Sequence, residues 1–310
     1  MQNLRALRQR IRSVQNTQKI TKAMQMVAGS KLRRMQAELM SFRPYADRLE
    51  DMARRFLAAH PAFAHPLLEG KSPVMVSLSN HDRTENRSSF DKLRTNGDET
   101  PPPPAGLIII TSDTGLCGTY NERILGVAEK FLLEFPSAQI VTIGKKGNRL
   151  LARRGIARTR EILDWGGRYD QMKVDDLVNW LEQGYLSGQV SGWHVAYTQF
   201  ISALQWKPIV VQLIPLVRQA AQEYPDQIIV EPDAERFAEE LLSKFVKAQY
   251  GRILLEAFTA EHSARMVAMK NATENATEMI DHLTLVRNKA RQAAITKELI
   301  EVVSGAQALQ

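Results

Sequence analysis

The sequence has little of what site chemistry most often uses. One cysteine, Cys117, stands among 310 residues, which excludes an internal disulfide and a thiolate metal cage and gives no reason to invoke an oxidising compartment. The six histidines (His60, His65, His81, His194, His262 and His282) do not repeat at a metal-ligand spacing. No run approaches the roughly 18 consecutive apolar residues of a membrane span, the longest being short stretches such as Leu107 to Ile110. Membrane association is therefore expected to be peripheral. Acidic residues are missing from Met1 to Ala37, a block with nine basic ones: Arg5, Arg8, Arg10, Arg12, Lys19, Lys22, Lys31, Arg33 and Arg34. Proline is missing from Asp233 to Val303, and Gly251 is the one glycine there. That absence permits a single helix about 105 Å long at 1.5 Å per residue.

The acid-free block will attract something negative. It has the look of a mitochondrial presequence, amphipathic and rich in arginine, but its apolar pattern runs without a break into the following segment, as a removable leader does not require. From Leu4 the apolar residues recur in steps of three and four: Leu4, Leu7, Ile11 and Val14, then Ala28, Leu32, Met35, Leu39, Phe42, Ala46, Leu49, Ala53 and Phe56. This is a heptad seam. Between the two stretches the seam positions hold Gln18, Thr21 and Gln25, while Ile20, Met24 and Val27 fall on a neighbouring face, so the contact stripe is expected to shift there. Pro44 is expected to kink the helix or mark a joint, since it removes a backbone donor and crowds the preceding turn.

The far end mirrors the near one. Met269, Ala272, Ala276, Met279, Leu283, Val286, Ala290 and Ala293 step by three and four, and two heptad helices at opposite ends of one chain suggest an antiparallel pair. The alanines imply closely spaced axes and a slender rod. A plain helical hairpin core satisfies the same periodicity. Between the helices the period changes. Leu107–Ser112, Gln139–Ile143, Val195–Ile201 and Ile209–Leu213 read as strands, separated by helical stretches near Glu122–Glu134, Lys146–Arg154 and Val174–Gly184, the alternation of an α/β layer domain. The expected organisation is an N-terminal coiled-coil helix over 1–60, an inserted flexible loop over 71–104, an α/β domain over 105–218 and a C-terminal coiled-coil helix over 233–310. The insert is read from its Ser, Asn, Asp, Arg and Thr content, its lack of apolar period and its closing prolines, Pro101 to Pro104.

Enzyme-like signals are few. The segment Ile110 to Asn121, ITSDTGLCGTYN, follows a strand and opens a helix, where α/β folds often place a phosphate. It lacks the spacing of a dinucleotide fingerprint. Gly144-Lys-Lys-Gly147 lacks the spacing and the hydroxyl residue of a phosphate loop. Cys117, near a helix start that would lower its pKa, has no evident partner for nucleophilic chemistry. The basic helix shows neither a groove-reading motif nor aromatic interleaving, so an acidic protein surface accounts for its charge as well as nucleic acid does.

From Ile11 to Arg34, IRSVQNTQKITKAMQMVAGSKLRR closely resembles the N-terminal signature of the F-type ATP synthase gamma subunit family. ARMVAMKNATEN from Ala264 to Asn275 and NKARQAAITKELIEVVSGA from Asn288 to Ala306 resemble its C-terminal signature, and TSDTGLCG from Thr111 to Gly118 resembles its central loop. The resemblance implies an antiparallel coiled coil of the terminal helices entering a hexamer of alpha and beta subunits. A Rossmann-like α/β domain would stand on the membrane-embedded c-ring beside the epsilon subunit, on the cytoplasmic face of a bacterial plasma membrane. Catalysis would belong to the beta subunits. The chain would act as a non-catalytic rotor with no cofactor, no metal and no nucleic-acid partner, its asymmetry biasing each beta subunit in turn. Carried over residue by residue, Arg291 and Gln292 match a pair that contacts a beta loop, and Lys22 and Met24 match positions near the beta subunits' acidic lever segment.

The chain departs from the family at several points. Thr114 and Thr119 stand where the central loop usually has arginine and glycine, so loop contacts are expected to differ. Gly29 stands in place of an alanine and is expected to weaken its helix by about 1 kcal/mol. The stretch from about Pro73 to Pro104 is longer than the family needs.

Overall fold

A computed structural model describes residues 4–60, 62–68, 103–217 and 233–307. The segment read as an insert, 71–104, lies outside the described residues apart from its last two prolines. Two very long helices carry the architecture: α1 (Leu4–Ala59) and α5 (Ala234–Gln307). Between them come β1 (Gly106–Ile110), α2 (Tyr120–Glu134), β2 (Gln139–Ile143), α3 (Lys145–Arg153), β3 (Arg160–Ile162), α4 (Gln171–Leu186), β4 (Trp193–Ser202) and β5 (Gln205–Ile214). The fold is an antiparallel coiled coil of the terminal helices with a central α/β sheet.

The buried residues of α1 are Leu7, Ile11, Thr21, Ala28, Leu32, Met35, Leu39, Ala46, Leu49, Ala53 and Phe56. These follow the seam read from the sequence, because a 3.5-residue repeat keeps one stripe facing the partner helix. Antiparallel pairing is visible in the contacts: Phe56 packs near Phe237, and at the other end Leu7 and Ile11 pack on Leu283, Val286 and Ala290.

Three details of the expected seam are corrected. The stripe does not shift between Val14 and Ala28. Thr21 is buried and Gln18 and Gln25 are half-buried, whereas Ile20 and Val27 are 61% and 57% exposed. The polar residues keep the seam because α5 meets them with hydroxyls: Gln18 Nε2 donates to Thr277 Oγ1 at 2.7 Å, and the Thr273 hydroxyl donates to that of Thr21 at 2.9 Å. Pro44 makes no joint. It lies inside an unbroken α1, flanked by Phe42, Ala46 and Leu49, whose packing on α5 holds the turn that lacks a backbone donor. On α5, Met279 and Ala293 are exposed and the half-buried Ile280 takes Met279's place; Ala293 lies past the last packed layer.

The sheet has the order β3-β2-β1-β4-β5, with the first four strands parallel and β5 antiparallel at the edge. Leu107 to Ile110 are all buried, as expected of a parallel strand covered on both faces. Ile108 and Ile110 join Val141, Ile143, Val195, α4 and the middle of α5. Leu107 and Ile109 join Ile140, α2 and Leu151 of α3. β4 and β5 are longer than the sequence reading, and Pro208 sits within β5, where an edge strand tolerates a missing donor. The short β3 was not anticipated.

Candidate functional site

The loop after β1 is where the sheet meets the long helix. Arg265 of α5 holds it. Its Nε donates to the Gly115 carbonyl at 3.1 Å, and its Nη2 to the Thr114 carbonyl at 3.0 Å and the Thr114 hydroxyl at 2.8 Å. Nη2 also pairs with Glu261 at 2.7 Å, and Nη1 lies 3.2 Å from His262 Nδ1. Because the guanidinium only donates, that His nitrogen accepts. Thr114, a departure from the family's pattern, thus supplies two of the acceptors that fix Arg265. Leu116 next in the loop has φ of 64°, uncommon for leucine.

Burial decides the electrostatics here. From Ile253 to Arg265 every residue of α5 is buried, so the charges in that stretch need partners. Burial raises the Glu261 carboxyl above its ordinary range despite the attraction of Arg265. His262 is driven down to about 4, first by burial and then by the Arg265 and Lys31 cations. Sequence reasoning missed Glu261, His262 and Arg265. The available signal was an acid–base pair four residues apart within a stretch that is otherwise mostly apolar and small.

The enzyme-like signals have structural explanations. Lys145 N donates to Asp113 Oδ1, Lys146 N to the Ser112 carbonyl and Gly147 N to Thr111 Oγ1. The amides at the start of α3 that a phosphate would require are thus engaged by the β1 loop itself. A side chain at Gly144 would stand 2.3 Å from the Thr111 carbonyl, and φ there is 99°. The lowered pKa expected of Cys117 from its place near a helix start is overturned. Its thiol is buried, accepts from Asn121 Nδ2 at 3.3 Å, and is raised above its ordinary pKa mainly by burial, the opposite of an activated nucleophile.

The four residues singled out for partner contact fall in two places. Lys22 is exposed and Met24 half-buried on α1, level with the polar seam layer; Lys22 Nζ reaches Gln25 Oε1 at 3.4 Å. Arg291 and Gln292 are exposed on α5, just past Ala290. From the Thr273 level to Arg291 is about 27 Å at 1.5 Å per residue, so the fold does not bring the two pairs together. Beyond Ala290, α5 runs without α1 beside it among the described residues, presenting Ile295, Leu299, Ile300, Val302 and Val303 to the surface.

A family model described as ATP synthase matches residues 3–309. The chain is 37% identical over 311 residues to the ATP synthase gamma chain of Moorella thermoacetica, and 36% identical over 320 residues to that of Cupriavidus metallidurans, with 100% of each chain covered in both cases. Among solved structures, a chain of the Euglena gracilis mitochondrial ATP synthase OSCP/F1/c-ring in rotational state 3 shares the fold. Its TM-score is 0.64 at 16% identity, covering 99% of this chain and 94% of that one. A chain of the Tetrahymena thermophila mitochondrial ATP synthase central stalk/c-ring gives 0.57 at 20% identity, covering 82% and 99%. Matched from end to end by the family model and by full-length relatives more than a third identical, the chain belongs to the ATP synthase gamma chain family.

Proposed function

We propose that the chain is the rotating central stalk of an F-type ATP synthase, coupling proton flow through a c-ring to ATP synthesis or hydrolysis on beta subunits, and that it performs no catalysis itself. The sheet domain takes the torque, with the c-ring beneath it and an epsilon subunit alongside. Arg265 passes it to the shaft, since its bonds to Thr114 and Gly115 tie the β1 loop to α5. The coiled coil presents a different face to each alpha–beta pair as it turns. Its place is peripheral, on the cytoplasmic face of a bacterial plasma membrane. Among the described residues no helix is long and apolar enough to cross a membrane.

One observation supports the contact assignments most directly. At the level of Gln18 to Val27, α1 is inverted: polar side chains fill the seam, while Ile20 and Val27 face outward on the side of Met24, and Lys22 flanks the other side of the seam beside Gln25. An exposed apolar strip on one flank of the seam and the Lys22 cation on the other make a surface for a partner that is itself partly apolar and acidic. Arg291 and Gln292 stand where the paired coil ends and α5 continues alone, a second contact level.

The test is the ratio of ATP-driven proton pumping to ATP hydrolysis in reconstituted vesicles. Met24→Lys adds a cation at the contact, overstabilises one rotational state by about 1 kcal/mol and lowers the ratio while hydrolysis persists. Met24→Leu keeps volume and apolarity and leaves it unchanged. Ratios for both variants equal to that of the unmodified protein would remove Met24 from the coupling contact.

A further inference from the structure

Lys31 and Arg34 of α1 and Arg168 of the loop between β3 and α4, all three exposed, line one half-open pocket of about 40 Å³ together with Gly166, Gly167 and the His262 ring. The partner-contact reading leaves this cluster without a role, because it lies where α1 and α5 meet the sheet domain. Among the described residues none of the three cations is in an ion pair. The nearby carboxylate, Glu261, is bound to Arg265 and also attracts Lys31. His262 offers no negative charge and is held neutral, its Nδ1 accepting from Arg265 while its other nitrogen donates to the Gly167 carbonyl.

The wall that carries Arg168 is built in advance of any ligand. The Asp113 carboxylate accepts from the amides of Asp164 at 3.3 Å and Gly166 at 2.9 Å, Lys145 Nζ pairs with Asp164 at 2.5 Å, and Trp165 Nε1 donates to the Arg168 carbonyl at 3.0 Å. Both glycines have positive φ, 82° and 62°, so the turn needs them. The amides of Gly167 and Arg168 donate to no other described residue. Three exposed cations lining one pocket would each attract an anion placed among them, and a fixed loop lowers the ordering needed to bind one. A pocket of this size suits an ion of a few heavy atoms. Cations arriving from two sides suit an ion with several acceptor oxygens.

We propose that this pocket binds a small tetrahedral oxyanion of the phosphate class, bridging α1 to the β3–α4 loop and so bracing the shaft against the sheet domain. The probe is inorganic phosphate, titrated calorimetrically into the full-length chain against a chloride blank of equal ionic strength. Saturable binding is expected, weakened about tenfold or more by Arg168→Gln and by Lys31→Gln, because each removes a charge-assisted contact. Arg168→Lys retains part of it. Lys297→Gln, a cation change at the far end of α5, leaves it unchanged. Circular dichroism confirms that each variant is folded, since the loop is held through the Arg168 carbonyl and not its side chain. No saturable binding above the chloride blank overturns the proposal, as does an equal loss in Lys297→Gln, which would mark general screening of a basic protein.

Discussion

Replacing His262 by Gln is expected to flatten the acid limb of the chain's stability curve. The imidazole is 4% exposed and its folded pKa is lowered from 6.5 to about 4. The unfolded chain therefore binds this proton more readily than the folded one, and stability rises with pH across the interval. The neutral ring's contribution is fully present above about pH 6.5 and is lost as pH falls toward 4. Linkage gives a loss of about 1 kcal/mol at pH 6, about 2 at pH 5 and about 3 at pH 4. Around the ring, Arg265 on α5 and Lys31 on α1 disfavour its protonation, while Arg34 and Arg168 line the same pocket. Glu261, with a raised pKa, has the opposite sign, its contribution falling as pH rises. His65 and His194, lowered by burial, act in the same direction as His262. All three are present in both proteins, so the difference between them isolates His262. Glutamine keeps a donor toward Gly167 and loses the acceptor for Arg265, an offset independent of pH. The assay is urea unfolding followed by circular dichroism at pH 7, 6, 5 and 4.5. Parallel curves for variant and unmodified chain would refute the reasoning.

Gly29→Ala is expected to stabilise the chain by about 1 kcal/mol in the same assay. An added Cβ there meets Met266 Sδ at 3.5 Å, an ordinary contact, so a measured loss would show that the seam cannot accept the methyl group. Arg265→Leu is expected to cost about 3–5 kcal/mol, because it strands the buried Glu261 and leaves the Thr114 and Gly115 carbonyls without their donor. Adding Glu261→Gln restores part of the loss. A double variant as unstable as the sum of the single ones would show the pair to be uncoupled.

Periodicity alone determined the two seams. The residues from Ala28 to Phe56 follow a repeat that any helix must turn toward its partner, and burial follows it from Leu32 to Phe56 with Phe42 half-covered. The apolar run Leu107 to Ile110 likewise announced a strand covered on both faces, whereas Arg160–Ile162 is three residues long with little apolar content and carries no local signal. The proposed contacts Lys22, Met24, Arg291 and Gln292 rest on the family's motifs alone, since nothing in their spacing marks them out. The polar layer was misread because a hydropathy pattern follows apolar residues while the helix keeps its phase. What makes Gln18 and Thr21 acceptable inside the seam is Thr277 and Thr273, 259 and 252 positions away. Arg265 is likewise defined by acceptors 150 and 151 positions earlier, at Gly115 and Thr114. Local pattern fixes which face of an element is apolar, because it needs only the backbone's own period. Which polar groups are satisfied when buried was decided by the tertiary structure, because their partners meet only after the two ends of the chain have come together.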